Sequence, residues 1–130
     1  MYFINTKERK VNDGYYDLDD FIASCKLRRV IFSTPALCSA QIELHLKTEK
    51  EILEFISKCK KEAFNFIKTD PSVLKPDVLI DIYCIKGISP IYLAIHFNYT
   101  SHRWTIKSFK RDTSPAHQIE EASDTKLLLG

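Results

Sequence analysis

A stretch in the last third of the sequence carries side chains able to transfer protons and to bind anions. Apolar and polar residues alternate along Ile91–Asn98, which predicts a strand with Tyr92 and His96 on one face. The next predicted strand contributes Arg103 and Lys107 to the same face. A histidine or tyrosine can transfer a proton, and cations can stabilise the negative charge that develops on a phosphate group. These four residues are therefore the candidate catalytic set for metal-independent acid–base chemistry on a phosphate group.

The same predicted face collects polar side chains from other segments. Alternation places Asp81 and Tyr83 on it from the preceding strand, and Glu43 and His45 from an earlier one. However, the uncovered face of any antiparallel sheet carries residues of these types. A solvated or protein-binding surface is therefore the alternative to catalysis, and the pattern alone commits no residue to a catalytic role.

Charge is distributed unevenly along a chain whose formal net charge is only +2. Between Tyr99 and Arg111 there are four Lys or Arg residues and no acid, whereas Asp112–Asp124 contains four acids and no Lys or Arg. Aromatic residues stand among the basic ones, and this combination favours contact with another macromolecule. The predicted binding residues are Tyr99, His102, Arg103, Trp104, Lys107 and Lys110.

Other chemistries are excluded by what the sequence lacks. Its three glycines, Gly14, Gly87 and Gly130, are too far apart for a phosphate-binding loop or a dinucleotide fingerprint. The four cysteines include no C-x-x-C pair, so we expect reduced thiols and neither zinc nor any other cofactor. There is no secretory signal and no apolar run of transmembrane length, which predicts a cytoplasmic protein or one delivered to a host cell without a cleaved signal.

Hydrophobic periodicity predicts the elements that position these residues. An acidic capping pair and helical spacing predict a short helix over 17–27, and β-branched and aromatic residues predict a strand over 29–33. Strict alternation predicts a second strand over 41–47. Thr48–Glu51 is a capping box, which predicts the start of a long amphipathic helix that extends to about Lys68.

Three further strands are predicted, over 78–86, 91–98 and 103–110, joined by short turns. Consecutive strands with short connections pair antiparallel. The sequence therefore predicts an α+β domain over 1–112, with an antiparallel sheet of about five strands, one long amphipathic helix packed on one face and a short N-terminal helix. A polar tail is predicted over 113–130.

This order of elements is similar to that of the roadblock/longin and profilin-like scaffolds, and it also resembles the small RelE-like toxin fold. The segment Trp104–Arg111 looks like the basic last strand of such toxins. The RelE resemblance implies a ribonuclease toxin that acts on RNA. The roadblock resemblance implies a dimerising scaffold.

The tail has a composition of its own. His117–Gly130 contains an acidic pair, small polar residues and then the leucines Leu127–Leu129. This segment resembles the C-terminal translocation signal of type IVB (Dot/Icm) secreted effectors, and the alternative is an end whose leucines dock on the domain. The sequence thus favours a small intracellular protein-binding domain, as a bacterial secreted effector or a regulator of one. A RelE-type toxin and a roadblock-like homodimer are the alternatives.

Overall fold

The computed structural model describes residues 14–114 of the 130-residue chain. Three helices and five strands account for most of this range, with one short 3-10 turn at Lys61–Ala63. In chain order the elements are α1 (Leu18–Lys26), β1 (Val30–Phe32), α2 (Thr34–Leu44), α3 (Glu49–Lys58), β2 (Phe64–Pro71), β3 (Leu79–Ile85), β4 (Ile91–Asn98) and β5 (Arg103–Arg111). None of these helices is long and apolar enough to cross a membrane.

The strands form one mixed sheet in the order β1-β5-β4-β3-β2. The predicted α+β class and the five strands are confirmed, and β2 to β5 pair antiparallel as their short connections require. The prediction of a purely antiparallel sheet is wrong, because β1 pairs parallel with β5. The chain leaves β1 through α2 and returns to its side only in β5, and a parallel pair requires such a long connection.

The predicted strand over 41–47 is wrong, because these residues belong to α2 and its carboxyl end. Ser33 caps this helix by accepting a hydrogen bond from the Ala36 N–H, and a proline lies in its first turn. Ala36 and Ala40, four residues apart, are fully buried. Ile42 belongs to the alternating pattern but is 77% exposed, so the alternation does not mark a buried face.

The predicted long helix over 48–68 is correct at its start and wrong at its end. The capping box at Thr48 is confirmed, with the Thr48 side chain bonded to the Glu51 N–H and the Glu51 carboxylate bonded to the Thr48 N–H. The helix ends at Lys58, and residues from Phe64 onward form β2. Phe64 and Phe66 are two residues apart, which is the period of a strand, and in the fold they pair with residues of β3.

The core lies between the helices and one face of the sheet. We call this helix-covered side of the sheet the first face. Ile91, Leu93 and Ile95 of β4 belong to it, as their alternation predicts, together with Ile106 and Phe109 of β5. α1 packs against α3, and α2 packs on β5. Each helix has buried residues that belong to this core, which is the packing expected of amphipathic helices on a sheet.

Candidate functional site

The sheet face opposite the helices, here called the second face, carries part of the predicted polar set. Tyr92 and His96 project from it on β4, because their neighbours Ile91, Leu93 and Ile95 enter the core. We expected this face to be polar and exposed, but its central residues are buried. Three apolar or weakly polar residues of this face, Ile82, Cys84 and Ala94, are at most 4% exposed.

Asp81 and Tyr83 do not lie on the second face, so that prediction is wrong. They pair with Ile95 and Leu93, which places both side chains on the first face. The predicted strand was correct, but its residues were assigned to the two faces in the opposite sense, and such an inversion moves every side chain to the other side. Glu43 and His45 are also absent from the second face, because they lie at the carboxyl end of α2.

The candidate catalytic residues separate into two groups on the second face. His96 pairs with Thr105, and Lys107 occupies the irregular position next to Ile106 where the β4–β5 register shifts. Tyr92 lies four residues from His96 along the strand, which corresponds to about 13 Å. Its ring instead contacts Lys110, whose Nζ is 5.1 Å from the ring centroid.

Arg103 lies near the start of β5 and pairs with Asn98. The structure therefore places His96, Lys107 and Arg103 in one part of the second face and Tyr92 in another. The His96 and Tyr92 side chains start from Cα atoms about 13 Å apart, so both could contact one phosphate group only by leaning toward each other along the strand.

His96 is held in its neutral form by its surroundings. Burial lowers the pKa of the imidazole below its ordinary value of 6.5, and the nearby Lys107 ammonium lowers it further. The His96 Nδ1 atom is buried and has no hydrogen-bond partner in the structure. At neutral pH this imidazole is therefore uncharged and able to accept a proton.

We expect the Lys107→Met variant to raise the pKa of His96, because the substitution removes the neighbouring positive charge while keeping an unbranched side chain. In the wild-type protein the pKa of His96 is lower in the folded than in the unfolded state. His96 therefore contributes stability that is present above the unfolded-state pKa and is lost as the pH falls through the folded-state pKa. An NMR titration of the His96 imidazole measures the shift. Lys110→Met is the matched control, and equal midpoints in wild type and Lys107→Met would contradict the assignment.

The predicted binding residues also separate when placed in the fold. Trp104 is only 3% exposed and belongs to the core, so it supports a surface and does not form one. Lys107 and Lys110 belong to the second face, whereas Tyr99 and His102 flank the β4–β5 turn and lie beside Phe97 on the side of the first face. The Asn98 carboxamide stabilises this turn by accepting hydrogen bonds from the N–H groups of residues 100 and 101.

Tyr99 belongs to a continuous group of aromatic rings at this end of the sheet. The Tyr99 ring centroid is 5.0 Å from that of Phe97 and 6.4 Å from that of Tyr16. The Tyr16 ring in turn contacts Trp104 at 5.6 Å and Tyr15 at 5.0 Å. Tyr15 and Tyr99 are 49% and 64% exposed, whereas Tyr16 and Trp104 are buried behind them.

The β2–β3 loop lies at the same end of the sheet, since it adjoins β2 and β3 where β4 ends and β5 begins. Its Val73 and Leu74 are about nine-tenths exposed or more. We call this surface the aromatic end and define it by Tyr15, Tyr99, His102, Arg103, Val73 and Leu74. The sequence predicted Tyr99, His102 and Arg103 as binding residues but not Tyr15, Val73 and Leu74. The Gly14-Tyr15-Tyr16 segment was the available signal, but its neighbour in space, Tyr99, is distant in sequence.

Two of the cysteine thiols, Cys25 and Cys59, are unsuited to act as catalytic nucleophiles. Burial raises the pKa of Cys25 to about 12 and also raises the pKa of Cys59, so both thiols are protonated at neutral pH. Between residues 14 and 114, no three His, Cys, Asp or Glu side chains are grouped so that they could hold a metal ion.

Comparison with known proteins gives no relative from which a function could be transferred. No protein-family model matches the chain, and neither a curated protein nor a solved structure is significantly similar to it.

Proposed function

We propose that this chain is a protein-binding domain and that the aromatic end is its contact surface. The observation that carries the proposal is the pair of exposed tyrosines, Tyr15 and Tyr99, whose rings rest on buried aromatic residues. Tyrosine, tryptophan and arginine are the residue types that dominate binding energy in protein interfaces. A rigid aromatic side chain also loses little conformational entropy when it binds.

The buried layer behind these tyrosines is itself fixed by polar contacts. The Tyr16 hydroxyl donates a 2.7 Å hydrogen bond to the Leu79 carbonyl oxygen, and burial raises the pKa of this phenol to about 12. The Trp104 Nε1–H donates to the Asp20 carboxylate at 3.2 Å. The rings of Tyr15 and Tyr99 therefore have a rigid support. A rigid contact surface loses less conformational entropy when its partner binds.

The kind of partner follows from a separate expectation. The resemblance of residues 117–130 to an effector translocation signal favours a host-cell protein as the partner. Those residues lie outside the described part of the chain, so the proposal for the aromatic end is independent of them. Arg103, at the start of β5 next to the β4–β5 turn, favours a partner surface that offers carboxylates.

We expect the double variant Tyr15→Ser/Tyr99→Ser to lose most of its partner binding, because it removes two exposed aromatic anchors and leaves the core unchanged. A loss of about 2 kcal/mol or more, or about thirtyfold in affinity, is typical of such anchors. The measurement is quantitative capture from host and bacterial lysates on immobilised protein, followed by titration with the captured partner.

Ile88→Ser is the matched control, since Ile88 is fully exposed at the opposite end of the sheet and its removal should leave capture unchanged. Equal capture by wild type and the double variant would contradict the proposal. Growth arrest on expression, relieved by His96→Ala, would instead support the ribonuclease alternative. A homodimer in light scattering that the double variant leaves intact would support the roadblock-like alternative.

A further inference from the structure

A cleft of about 460 Å³ lies at the end of the sheet opposite the aromatic end. It is enclosed by the carboxyl end of α2, by α3, by the β3–β4 turn and by the end of β5. Its apolar lining includes Leu44, Leu46, Phe55, Ile85 and Ile91. A concave apolar site of this size is suited to a small molecule or to part of a larger one.

The charged residues that line the cleft are all at least partly exposed, and we call them its rim. Lys86 and Arg111 supply two positive charges, and Glu43 supplies one negative charge. Oε1 of the Glu43 carboxylate already accepts a 3.0 Å hydrogen bond from the Arg111 backbone N–H. Neither Lys86 nor Arg111 forms a salt bridge with a carboxylate of the described residues.

The rim therefore has a formal charge of +1 when His45, which also lines it, is neutral. A ligand with one negative charge would neutralise the rim, whereas a ligand with one positive charge would double its charge. The chemistry of the walls is inert, because the pKa of the Cys59 thiol is raised by burial and its Sγ donates a hydrogen bond to the Phe55 carbonyl oxygen.

We infer that this cleft binds an unbranched apolar carboxylate, such as a medium-chain fatty acid. The hydrocarbon chain would lie on Leu44, Leu46 and Phe55, which are partly exposed and would lose contact with water. The carboxylate would lie at the rim between Lys86 and Arg111. Neither cation is paired with a described carboxylate, although the Arg111 guanidinium donates a 3.5 Å hydrogen bond to the Glu43 carbonyl oxygen. This site is separate from the aromatic end, so it does not depend on the proposed function.

The test is calorimetric titration of the full chain with decanoate and with decyltrimethylammonium, which share a chain length and differ in the sign of the headgroup. We expect one decanoate to bind per chain, and the cationic ligand to bind at least about fivefold more weakly. Lys86→Met should weaken decanoate binding by about fivefold, because it removes one rim charge and keeps an apolar stem. Leu46→Glu, which places a carboxylate in the lining, should abolish binding.

Lys75→Met is the matched control, since it removes a lysine at the other end of the sheet and should leave decanoate affinity unchanged. Equal affinities for the two ligands, or no heat of binding with either, would overturn the proposal. A wild-type chain that dimerises and a Leu46→Glu variant that is monomeric would show that a second copy occupies the cleft, which would also overturn it. Circular dichroism establishes that each variant is folded.

Discussion

Replacing Asp81 by alanine is expected to destabilise the fold by about 3–5 kcal/mol, because three hydrogen-bond donors lose their acceptor at a buried site. This carboxylate is fully buried on β3 and forms no ion pair with a described cation. It accepts hydrogen bonds from the N–H groups of Tyr15 and Tyr16, at 2.9 and 2.7 Å, and from the Thr69 hydroxyl at 2.7 Å. Alanine would leave these three donors without their acceptor and would also create a cavity. Chemical denaturation followed by circular dichroism measures the loss.

Two companion variants separate the contributions at this site. Thr69→Val removes one of the three donors at nearly constant volume, so it should cost only about 1–2 kcal/mol. Gly14→Ala should also be destabilising, because an added Cβ would lie 2.7 Å from the Asp81 Cγ and 2.8 Å from the Tyr83 hydroxyl oxygen. An Asp81→Ala protein within about 1 kcal/mol of wild type would show that the carboxylate is not the anchor of the segment before α1.

The Trp104→Ala variant is expected to lose about 3–5 kcal/mol of stability and, with it, the aromatic end. The Trp104 ring makes edge-to-face contacts with Tyr16, Phe21 and Phe97 at centroid distances of 5.6, 5.4 and 5.2 Å. Its removal would leave a cavity at the centre of the aromatic group and release the support of Tyr99. Because this is the only tryptophan of the chain, denaturation must be followed by circular dichroism and not by fluorescence.

Trp104→Phe distinguishes support from direct contact. It keeps most of the ring packing and loses the hydrogen bond to Asp20, so about 1–2 kcal/mol of stability should be lost. Partner capture should be retained in this variant, because the indole is buried and contacts no partner. Loss of capture in a stable Trp104→Phe protein would show that the indole itself is recognised, contrary to its position in the core.

The parts of the fold that the sequence predicted well are those determined by local chemistry. The capping box at Thr48 identified a helix start from four consecutive residues, and the alternation along Ile91–Asn98 identified β4 and its buried face. Alternation failed at residues 41–47, because Ile42 and Leu44 lie in the last turn of α2, where residues two apart point in different directions and Ile42 is exposed. The serine cap and the proline before Ala36 were the better signal there.

The parts that could not be predicted depend on contacts between distant residues. Phe64 and Phe66 form a strand only because β3 is available to pair with them. The face occupied by Asp81 depends on its pairing with Ile95, which no local pattern reveals. For the same reason the cleft was missed. Its lining residues range from Glu43 to Arg111, and their spacing in the sequence carries no signal of their meeting in space.

The parallel pairing of β1 with β5 has a consequence for the order in which the protein can fold. Ser33 caps α2, and its hydroxyl also donates a 2.8 Å hydrogen bond to the carbonyl oxygen of Lys107, 74 residues further along the chain. During synthesis, therefore, β1 has no partner among the strands of residues 14–114 until β5 has left the ribosome. Pairings between such distant residues are slow to form because a long loop must close first. We therefore expect the β2–β5 meander to pair before β1 and α2 attach to its edge.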